Sequence, residues 1–599
     1  MSVEKEIEST PSSHLSRRRF LQVASAGAGA VAISPALIGC GTDSGSSSSS
    51  TTTGTTSSWS FGIMADTQWT TGSDADGLNP YTCAAEQIRQ LNNQFIDSNV
   101  PFVIHVGDLC DGVSEPSSAA NGELIRAAYT QALFNNNIGF FPLRGNHDDQ
   151  AEAGTPVANL ASQFVSNYPQ TQNGIMNNTP SAALSVTNPD ATTQPIPAKT
   201  GTTFTVGSNF SSPDPWGTGD LKGLSYSFDV NGSRFILLDQ FAPTDYSSNS
   251  NYSIDTTIAA QQSWITTQLK SRPTGGHAFV FGHKGLITQD HVDVLLGENP
   301  AQNPTNTDAF IQSLAGNGVH VYINGHDHMH DRSIVYTTDG KTASVMQQTC
   351  ASDSSKFYTP ATTANDVTYN VAAFGVKRQV PIRQELYKIG YYLVTIEGNN
   401  ATIEYWAADV NVSSGVASTI PALNFTLRET YGYSLVGQQF QIQPGSSYTT
   451  VSDKSPNGTT AKILAGTNLS ITTDLSSRAL VRVVNTGWGT VSGLASDVLY
   501  LWGIQSALSS EQSETYVLQL SYNSLSSTSI ASGNAGIATL DDAGNWTNAV
   551  SNNYGGTKKF VQGAWQSSYA LGTYGVDTAN NVAWAVVNYG GKFAVSGNI

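Results

Sequence analysis

The sequence is poor in cysteine and in charged residues. It has 4 cysteines in 599 residues, too few for a disulfide framework. Charged residues make up only 12% of the chain, and 28 Lys and Arg stand against 45 Asp and Glu, a formal net charge of −17. Because an acidic, weakly charged surface does not attract polyanions, we expect no nucleic acid partner.

The chain does contain abundant material for hydrophobic cores. Hydrophobic residues make up 39%, including 24 Tyr, 22 Phe and 10 Trp, which excludes wholesale disorder. At about 100–200 residues per domain, the length indicates two to four domains. Abundant Ser, Thr, Asn and Gly beside little Lys and Glu is typical of an exported protein.

The first 40 residues are typical of an export signal followed by an anchor. Residues 16–22, SRRRFLQ, resemble the twin-arginine signal, and the apolar stretch to about residue 38 is too interrupted to span a membrane. Residues 37–40, LIGC, resemble a bacterial lipobox, so Cys40 would carry a lipid anchor to a membrane. The alternatives are a basic disordered start and a chance buried cysteine. We expect twin-arginine export and a periplasmic or cell-surface lipoprotein.

Composition divides the rest of the chain into three parts. Residues 41–58 are a Ser/Thr/Gly tether that cannot bury apolar surface. Residues 59–428 alternate helical and strand patterns. They include a polar insertion at about 150–223, which we expect to shape a substrate pocket. Within the insertion, Trp216 is the best candidate for stacking on a substrate. Residues 430–599 contain short β runs without acid or His clusters, which predicts an all-β, sandwich-like accessory domain.

Apolar strands that end in polar loops recur through residues 59–428. Predicted strands at 59–64, 101–106, 138–143, 277–281 and 319–323 are each followed by a loop bearing Asp, Asn or His. Ligands in open α/β sheets gather at the C-terminal ends of strands, so these loops predict a shared site. A further hairpin, at 391–396 and 401–406, is expected to complete the second sheet.

The loops carry five short motifs in a fixed order. They read Asp66-Thr67-Gln68, Gly107-Asp108-x-x-Asp111, Gly145-Asn146-His147-Asp148, Gly282-His283 and Gly325-His326-Asp327-His328. Together the motifs resemble those of the calcineurin-like metallophosphoesterases, over about residues 59–409. The resemblance implies an α/β fold, a four-layer α-β-β-α sandwich of two mixed sheets.

The resemblance also implies two divalent metal ions (Mn, Fe, Zn or Mg) that clamp a phosphoryl group and activate a bridging hydroxide. The ligands carried over by motif form two sets that share one carboxylate: Asp66, Gln68, Asp108 and His328 for one ion, and Asp108, Asn146, His283 and His326 for the other. The expected substrate is a small phosphorylated molecule, and the sequence leaves phosphomonoester and phosphodiester equally open.

His147 is expected to be the general acid rather than a ligand. By the resemblance it would donate a proton to the leaving oxygen and be oriented by Asp148. Asp111 is expected to orient a ligand or a loop amide. Purple acid phosphatases carry Tyr at that place, so the purple branch is not expected.

Gln68 departs from the family pattern, in which the first motif ends in His. An amide oxygen is a neutral, harder donor than imidazole, which favours Mn²⁺ or Mg²⁺ over Zn²⁺ at this position. Alternatively, Gln68 binds nothing and water fills the gap. A rival function therefore stays open: a binding lipoprotein that keeps the fold but is weak or inactive as an enzyme.

The remaining histidines and cysteines are interpreted as structural. His105 and His320 lie in apolar strands and are expected in the core, whereas His330 is expected at a solvent-facing loop position. Further residues without motif support are His277, His291, Cys83, Cys110 and Cys350. The cysteines are most simply buried thiols, with a Cys83–Cys110 bridge as the alternative. Five C-terminal tryptophans predict either sandwich core or a glycan platform: Trp488, Trp502, Trp546, Trp565 and Trp584.

Overall fold

The computed structural model of the chain describes most residues from 58 onward. The described ranges are 58–69, 83–111, 119–149, 160–178, 184–187, 193–196, 201–215, 220–241, 257–287, 290–297, 303–360, 378–417, 422–443, 445–452, 454–467, 481–504, 514–541 and 543–599. The predicted export signal, the lipobox with Cys40, almost all of the tether, and Trp216 lie outside these ranges.

Two mixed sheets form the first part of the chain. Their strands and those of the insertion are, in chain order, Trp59–Met64 (β1), Phe102–His105 (β2), Gly139–Pro142 (β3), Ile175–Asn178 (β4), Leu184–Thr187 (β5), Thr193–Ile196 (β6), Thr202–Thr205 (β7), Ser208–Ser211 (β8), Tyr226–Val230 (β9), Ser233–Leu238 (β10), Ala278–Gly282 (β11), Val321–Asn324 (β12), His330–Tyr336 (β13), Ser344–Thr349 (β14), Gln379–Glu385 (β15), Lys388–Glu397 (β16), Asn400–Asp409 (β17) and Thr426–Ser434 (β18). The first sheet has the order β18-β17-β16-β1-β2-β3 and the second β15-β13-β14-β12-β11-β10-β9-β8. In the first sheet β1, β2 and β3 run parallel beside the antiparallel β16, and in the second sheet β10, β11, β12 and β14 run parallel. The apolar strands β2 and β11 are buried along their whole length.

Helices cover the outer faces of the two sheets. The described helices of the chain are Ala85–Asp97 (α1), Ala119–Tyr129 (α2), Gln131–Phe134 (α3), Asn146–Asp149 (α4), Leu160–Asn167 (α5), Thr257–Lys270 (α6), Pro304–Gly316 (α7) and Ser527–Ala531 (α8), with short 3₁₀ helices at Pro169–Gln172 and Ala549–Asn552. On α1, Ile88, Leu91 and Phe95 are buried, as the helical spacing predicts. The result is the expected four-layer α-β-β-α arrangement.

Phenylalanines fill the space between the two sheets. Phe61 and Phe102 of the first sheet stack with ring centroids 5.4 Å apart, and the ring edge of Phe235 from the second sheet lies against both, at 5.0 and 5.2 Å. Stacked and edge-to-face ring pairs add to the free energy gained by burial. This core holds the facing sheets, and hence their loops, in a fixed relation.

Two expectations about the end of this part are wrong in detail. The hairpin β16–β17 pairs with β1 and so completes the first sheet rather than the second. β18 pairs with β17, so the accessory domain begins after Ser434 and not at residue 430. A tight turn joins β9 and β10, with positive φ at Asn231 (46°) and Gly232 (79°) as a type I′ turn requires.

The insertion after α4 has secondary structure of its own. It contains α5 and two short ribbons, β4 with β7 and β5 with β6, and then adds β8 to the edge of the second sheet. Phe164, Tyr168 and Met176 from this segment are buried in the main core. The part of the insertion that the structure describes is therefore packed onto the fold.

Within its described residues, the C-terminal part is all-β apart from α8 and one 3₁₀ turn, as predicted. Its strands are Gln439–Ile442 (β19), Ser447–Val451 (β20), Ala461–Thr467 (β21), Arg482–Gly489 (β22), Val498–Trp502 (β23), Tyr516–Ser521 (β24), Gly536–Leu540 (β25), Trp546–Asn548 (β26), Lys559–Gln562 (β27), Thr573–Asp577 (β28), Val582–Val587 (β29) and Gly591–Ser596 (β30). Two six-stranded sheets share one core, in the orders β19-β22-β23-β30-β25-β26 and β20-β21-β24-β29-β28-β27.

The C-terminal tryptophans are packed rather than arrayed on the surface. Trp488, Trp502 and Trp584 are buried, and Tyr569 stacks on Trp584 with ring centroids 5.2 Å apart. Trp502 also donates from Nε1 to Oγ1 of Thr402 on β17, 3.1 Å away, which joins the two parts of the chain. Across the described ranges, none of the helices has both the length and the apolarity needed to cross a membrane.

Candidate metal centre

Loops from both sheets meet where the parallel strands end. In the first sheet, Asp66 donates its backbone N–H to the carbonyl oxygen of Gly107, 3.0 Å away. In the second sheet, the N–H of Gly325 donates to the carbonyl oxygen of His283, also at 3.0 Å. The N–H of His326 donates to Oδ1 of Asp66 at 3.0 Å and so joins the sheets. The motifs that sequence analysis singled out are thus held together by backbone hydrogen bonds.

Two glycines allow this close approach. A Cβ at Gly145 would lie 2.0 Å from Oδ1 of Asp108, and one at Gly325 would lie 2.6 Å from Oδ2 of Asp66. Both distances are shorter than any van der Waals contact, so a side chain would displace the carboxylates. The glycines of the motifs are therefore required by the packing of the ligand candidates.

Four of the ligand candidates have a left-handed backbone. Their φ angles are 53° at Asp66, 55° at Asp108, 75° at His326 and 49° at His328. Residues other than glycine rarely adopt this conformation, and such strained positions cluster at functional sites. The surrounding fold therefore holds these side chains where an unstrained backbone would not place them.

The first predicted ligand set lies together and is buried. Gln68 donates from Nε2 to Oδ2 of Asp108 at 3.0 Å and to Nε2 of His328 at 2.9 Å, so its amide nitrogen, which is not a metal ligand, faces these two residues. Nε2 of His328 is 3.6 Å from Oδ1 of Asp66. Two ligands about 2.1 Å from one ion, at right angles, are about 3 Å apart, so the spacing of His328 and Asp66 is close to that of two ligands of one cation.

The second predicted set is equally compact and shares Asp108 with the first. Nε2 of His283 lies 3.0 Å from Oδ1 of Asn146 and 3.3 Å from Oδ1 of Asp108. The ligand atoms of Asp108, His283 and His326 all lie within 4.8 Å of one another, as do those of Asp66, Asp108 and His328. The structure thus brings all seven predicted ligand candidates into two groups with one carboxylate in common.

Hydrogen bonds on the far side of two rings fix which nitrogen faces the site. Nδ1 of His283 lies 2.9 Å from the carbonyl oxygen of Val106, and Nδ1 of His328 lies 2.6 Å from that of Lys356. A carbonyl oxygen only accepts, so each Nδ1 carries a hydrogen and Nε2 is the nitrogen that faces the site. At His283, Nε2 faces two oxygens, from Asn146 and Asp108. One ring nitrogen and two oxygens that converge in this way form a donor set that a divalent metal ion can bind.

Unpartnered oxygens lead to the same conclusion for the first set. Oδ2 of Asp66 and Oε1 of Gln68 are buried and have no hydrogen-bond partner among the described residues. Burial, together with the neighbouring Asp108, raises the pKa of Asp66 well above its usual range. Burial also acts on Asp108, but His283 and His147 outweigh it and lower the pKa of that carboxyl. A cation would supply the missing partner for the Asp66 oxygen and offset the carboxylate repulsion, and rotation of the Gln68 amide by 180° would let Oε1 bind it as well.

His147 lies beside the shared carboxylate, with its ring held from behind. Its backbone N–H donates to Oδ1 of Asp108 at 2.9 Å, and its Nε2 lies 4.0 Å from Oδ2 of the same carboxylate. Nδ1 donates to Oδ1 of Asp111 at 2.7 Å. Burial lowers the pKa of His147, but Asp108 and Asp111 raise it by more than burial lowers it, and the pKa rises to about 9. Because Nδ1 faces Asp111, Nε2 is the ring nitrogen that faces the candidate metal centre.

The expectation that Asp148 orients His147 is wrong. The Asp148 carboxylate accepts from the backbone N–H groups of Gly145, Leu109 and Cys110, at 2.8 to 3.2 Å. Burial and the Asp108 charge raise the pKa of Asp148 to about 7. Asp148 thus ties the loop after β2 to the loop after β3, and the orienting contact to the ring comes from Asp111.

The sequence does not predict a group of contacts at the rim of the second set. Nε2 of His326 is 3.2 Å from Oδ1 of Asp293, which also pairs with Nζ of Lys284. Nδ1 of His291 is 2.9 Å from Oδ1 of Asp327. Asp293 and His291 lie outside the motifs, and no pattern in the sequence marks them.

An aromatic residue, Tyr358, lies at the rim of the site beside the first ligand set. The Tyr358 ring lies edge-on to His328 and His291, with centroids 5.0 and 4.3 Å apart, and the Lys356 ammonium lies 4.7 Å from the ring centroid. A cation over a tyrosine face is attracted by the ring quadrupole. Tyr358 lies outside the motifs as well, and nothing in the sequence predicts it at this place.

The other histidines and the cysteines are mostly where we expect them. His105 is buried and contacts Oγ1 of Thr67 at 3.0 Å, and His320 stacks on Tyr433 with centroids 4.1 Å apart. The solvent-facing position expected for His330 is wrong: it lies buried in β13 and bonds the Tyr392 hydroxyl at 2.9 Å. The three described cysteines are buried free thiols: Cys83, Cys110 and Cys350.

Residues 60–330, which carry the site, match the family model described as calcineurin-like phosphoesterase. The match covers somewhat less than half of the chain, and it supports a phosphatase-type hydrolase. A search of curated proteins finds no match.

Two solved structures have a similar chain course at low identity. One is a purple acid phosphatase from yellow lupin (Lupinus luteus) seeds, with 14% identity and a TM-score of 0.36 over 63% of this chain and 54% of that one. The other is a dimetal phosphatase from Danio rerio, with 13% identity and a TM-score of 0.33 over 62% of this chain and 98% of that one. The match spans just over half of the lupin protein.

Proposed function

We propose that this chain is an exported, metal-dependent phosphoesterase that hydrolyses small phosphomonoesters or phosphodiesters. One observation carries the proposal: two compact ligand sets share Asp108, and Nε2 of His283 converges with oxygens of Asn146 and Asp108 on a position that suits a cation. Two divalent ions bound there would polarise the phosphoryl group and lower the pKa of an attacking water.

The chain's own residues supply the other requirements of the reaction. Asp108 and the loop glycines hold the two ligand sets at a fixed separation. His147 carries a proton on Nε2 that it can give to the leaving oxygen, while Asp111 keeps the ring from turning away. General acid catalysis of this kind contributes about 10²–10⁴-fold to the rate.

Hydrolysis of p-nitrophenyl phosphate and of its bis ester, with Mn²⁺ added, tests the proposal. We expect turnover of at least one ester by the wild type and none by Asp108→Asn, which loses the bridging charge. The ratio of the two rates separates monoesterase from diesterase. Absence of turnover at verified two-metal occupancy, extended to nucleotides, sugar phosphates and phospholipid head groups, would contradict the proposal.

A second candidate function is a binding lipoprotein that keeps the fold with one impaired metal position. The orientation of Gln68 favours it, because Nε2 rather than Oε1 faces Asp108 and His328. A rotation of the amide by 180° exchanges the two atoms and makes Oε1 the ligand. Occupancy of one metal per chain without hydrolysis would support this candidate over the enzyme.

We also propose export by the twin-arginine route and lipid anchoring at Cys40. The support is the order of the sequence features, namely a twin-arginine motif, a lipobox and an 18-residue polar tether. Replacing Arg17 and Arg18 with Lys should block export. Cys40→Ser should leave the precursor uncleaved or release it from membrane fractions, and unchanged fractionation of both variants would contradict the proposal.

A further inference from the structure

The loop at residues 290–293 contacts His326, one of the candidate metal ligands, although none of its residues belongs to either ligand set. Oδ1 of Asp293 lies 3.2 Å from Nε2 of His326, and the other carboxylate oxygen pairs with Nζ of Lys284, the residue after His283. Asp293 thus contacts one candidate ligand directly and the neighbour of a second.

The loop at residues 290–293 and the loop that carries His326 bond each other in both directions. Asp293 contacts His326, and Asp327, the residue after His326, accepts from both the backbone N–H and Nδ1 of His291, at 3.0 and 2.9 Å. The rings of His291 and His326 lie against each other with centroids 4.2 Å apart. Two residues of each loop therefore bond two of the other, which leaves His326 little freedom to rotate.

An ionised carboxylate only accepts hydrogen bonds, so Nε2 of His326 must carry the hydrogen in this contact. The neutral ring then presents its lone pair at Nδ1, the opposite choice from His283 and His328, which are held at Nδ1 by carbonyl oxygens. We propose that Asp293 is a positioning residue that fixes this tautomer of His326 and thereby sets the affinity of the second metal position. The proposal rests on the proposed function.

Asp293 is paired with Lys284, so its effect on His326 differs from simple attraction between charges. Lys284 is buried beside Asp293, so the pair adds little net charge to the site. What Asp293 contributes is an acceptor at a defined place. Such outer partners of metal-binding histidines typically change metal affinity about 10–100-fold when they are removed.

The test uses the full chain, Co²⁺ as the probe, and three variants. Asp293→Ala removes the acceptor, whereas Asp293→Asn keeps an acceptor oxygen of the same shape. Asp290→Ala is the matched control, since Asp290 is an exposed acid in the same loop. Thermal unfolding checks that each variant folds, equilibrium titration gives the two Co²⁺ affinities, and the visible absorption of bound Co²⁺ reports its ligands.

We expect Asp293→Ala to weaken one of the two positions about 10–100-fold and to change the Co²⁺ spectrum, with Asp293→Asn intermediate and Asp290→Ala unchanged. If Asp293→Ala does not fold, the affinity and spectrum of Asp293→Asn decide. Wild-type Co²⁺ affinities in every variant, or equal losses of affinity in Asp293→Asn and Asp290→Ala, would overturn this inference and leave the proposed function standing. A wild type that binds no Co²⁺ would overturn the proposed function as well.

Discussion

Nδ1 of His147 donates to Oδ1 of Asp111 over 2.7 Å, so the ring is oriented by an acid from the preceding motif and not by its neighbour in sequence. The last residue of the GD-x-x-D motif, Asp111, thus acts on the third residue of the GNHD motif, His147.

Removing that contact should slow catalysis without removing metal. In Asp111→Ala the His147 ring loses its anchor, and we expect kcat to fall about 10- to 100-fold, less than the roughly 10²–10⁴-fold expected for His147→Ala. Metal content, measured by elemental analysis, should stay at the wild-type value. Asp97→Ala, an exposed acid on α1, is the control. Unchanged kcat in the Asp111 variant would show that the contact has no catalytic role.

Asp148→Asn should lower the free energy of unfolding rather than kcat. The amide nitrogen of Asn cannot accept the backbone N–H groups that the carboxylate accepts, so at least one buried donor loses its partner. An unsatisfied buried group costs about 1–3 kcal/mol, which denaturant unfolding of both proteins would measure. A variant as stable as the wild type but with kcat lowered as in Asp111→Ala would restore Asp148 to the orienting role.

Gln68 should decide the metal preference of the first position. This set has one imidazole, one amide and two carboxylates, an oxygen-rich group that suits Mn²⁺ or Mg²⁺. We expect Gln68→His to tighten that position and to shift activity toward Zn²⁺. Calorimetric titration of both proteins with Zn²⁺ and Mn²⁺ measures this. Two equal Zn²⁺ affinities in the wild type, matched by the His variant, would show that Gln68 is not a ligand.

A buried ion pair between the sheets should make stability depend on acid pH. Glu429 on β18 accepts from Nη2 of Arg332 at 2.5 Å and from Nε2 of His330 at 3.0 Å. Burial would raise the pKa of Glu429, but Arg332 and His330 lower it well below the usual 4.5. Since the folded pKa lies below the unfolded one, the stabilisation is fully present above pH 4.5 and is lost as the pH falls below it.

The corresponding variant is Glu429→Gln, which leaves Arg332 buried without its counter-charge. At pH 7 it should lose roughly 3 kcal/mol of unfolding free energy, and the difference from the wild type should shrink below pH 4.5. Asp409→Asn, which breaks exposed pairs with Lys388 and Arg428, should change stability by less than about 1 kcal/mol. A pH-independent difference for Glu429→Gln would contradict the assignment.

The sequence predicted the strand ends well, because parallel strands put successive loops at one edge and the motifs mark those loops. It could not predict contacts between loops that carry no periodic pattern. Asp293 reaches His326 only through the folding of the loop at 290–297, and Tyr358 reaches His328 from beyond β14. Likewise, β16 reads as an ordinary hairpin strand, and only its pairing with β1 decides the sheet to which it belongs.

The shared carboxylate of Asp108 is the central claim, and metal stoichiometry tests it most directly. Elemental analysis after equilibration with Mn²⁺ should find two ions per wild-type chain and none retained in Asp108→Asn, because both ligand sets lose the bridging charge. Asp97→Asn should retain two. Retention of one ion by Asp108→Asn would show that the two positions do not share this carboxylate, and retention of two would contradict the account of the site.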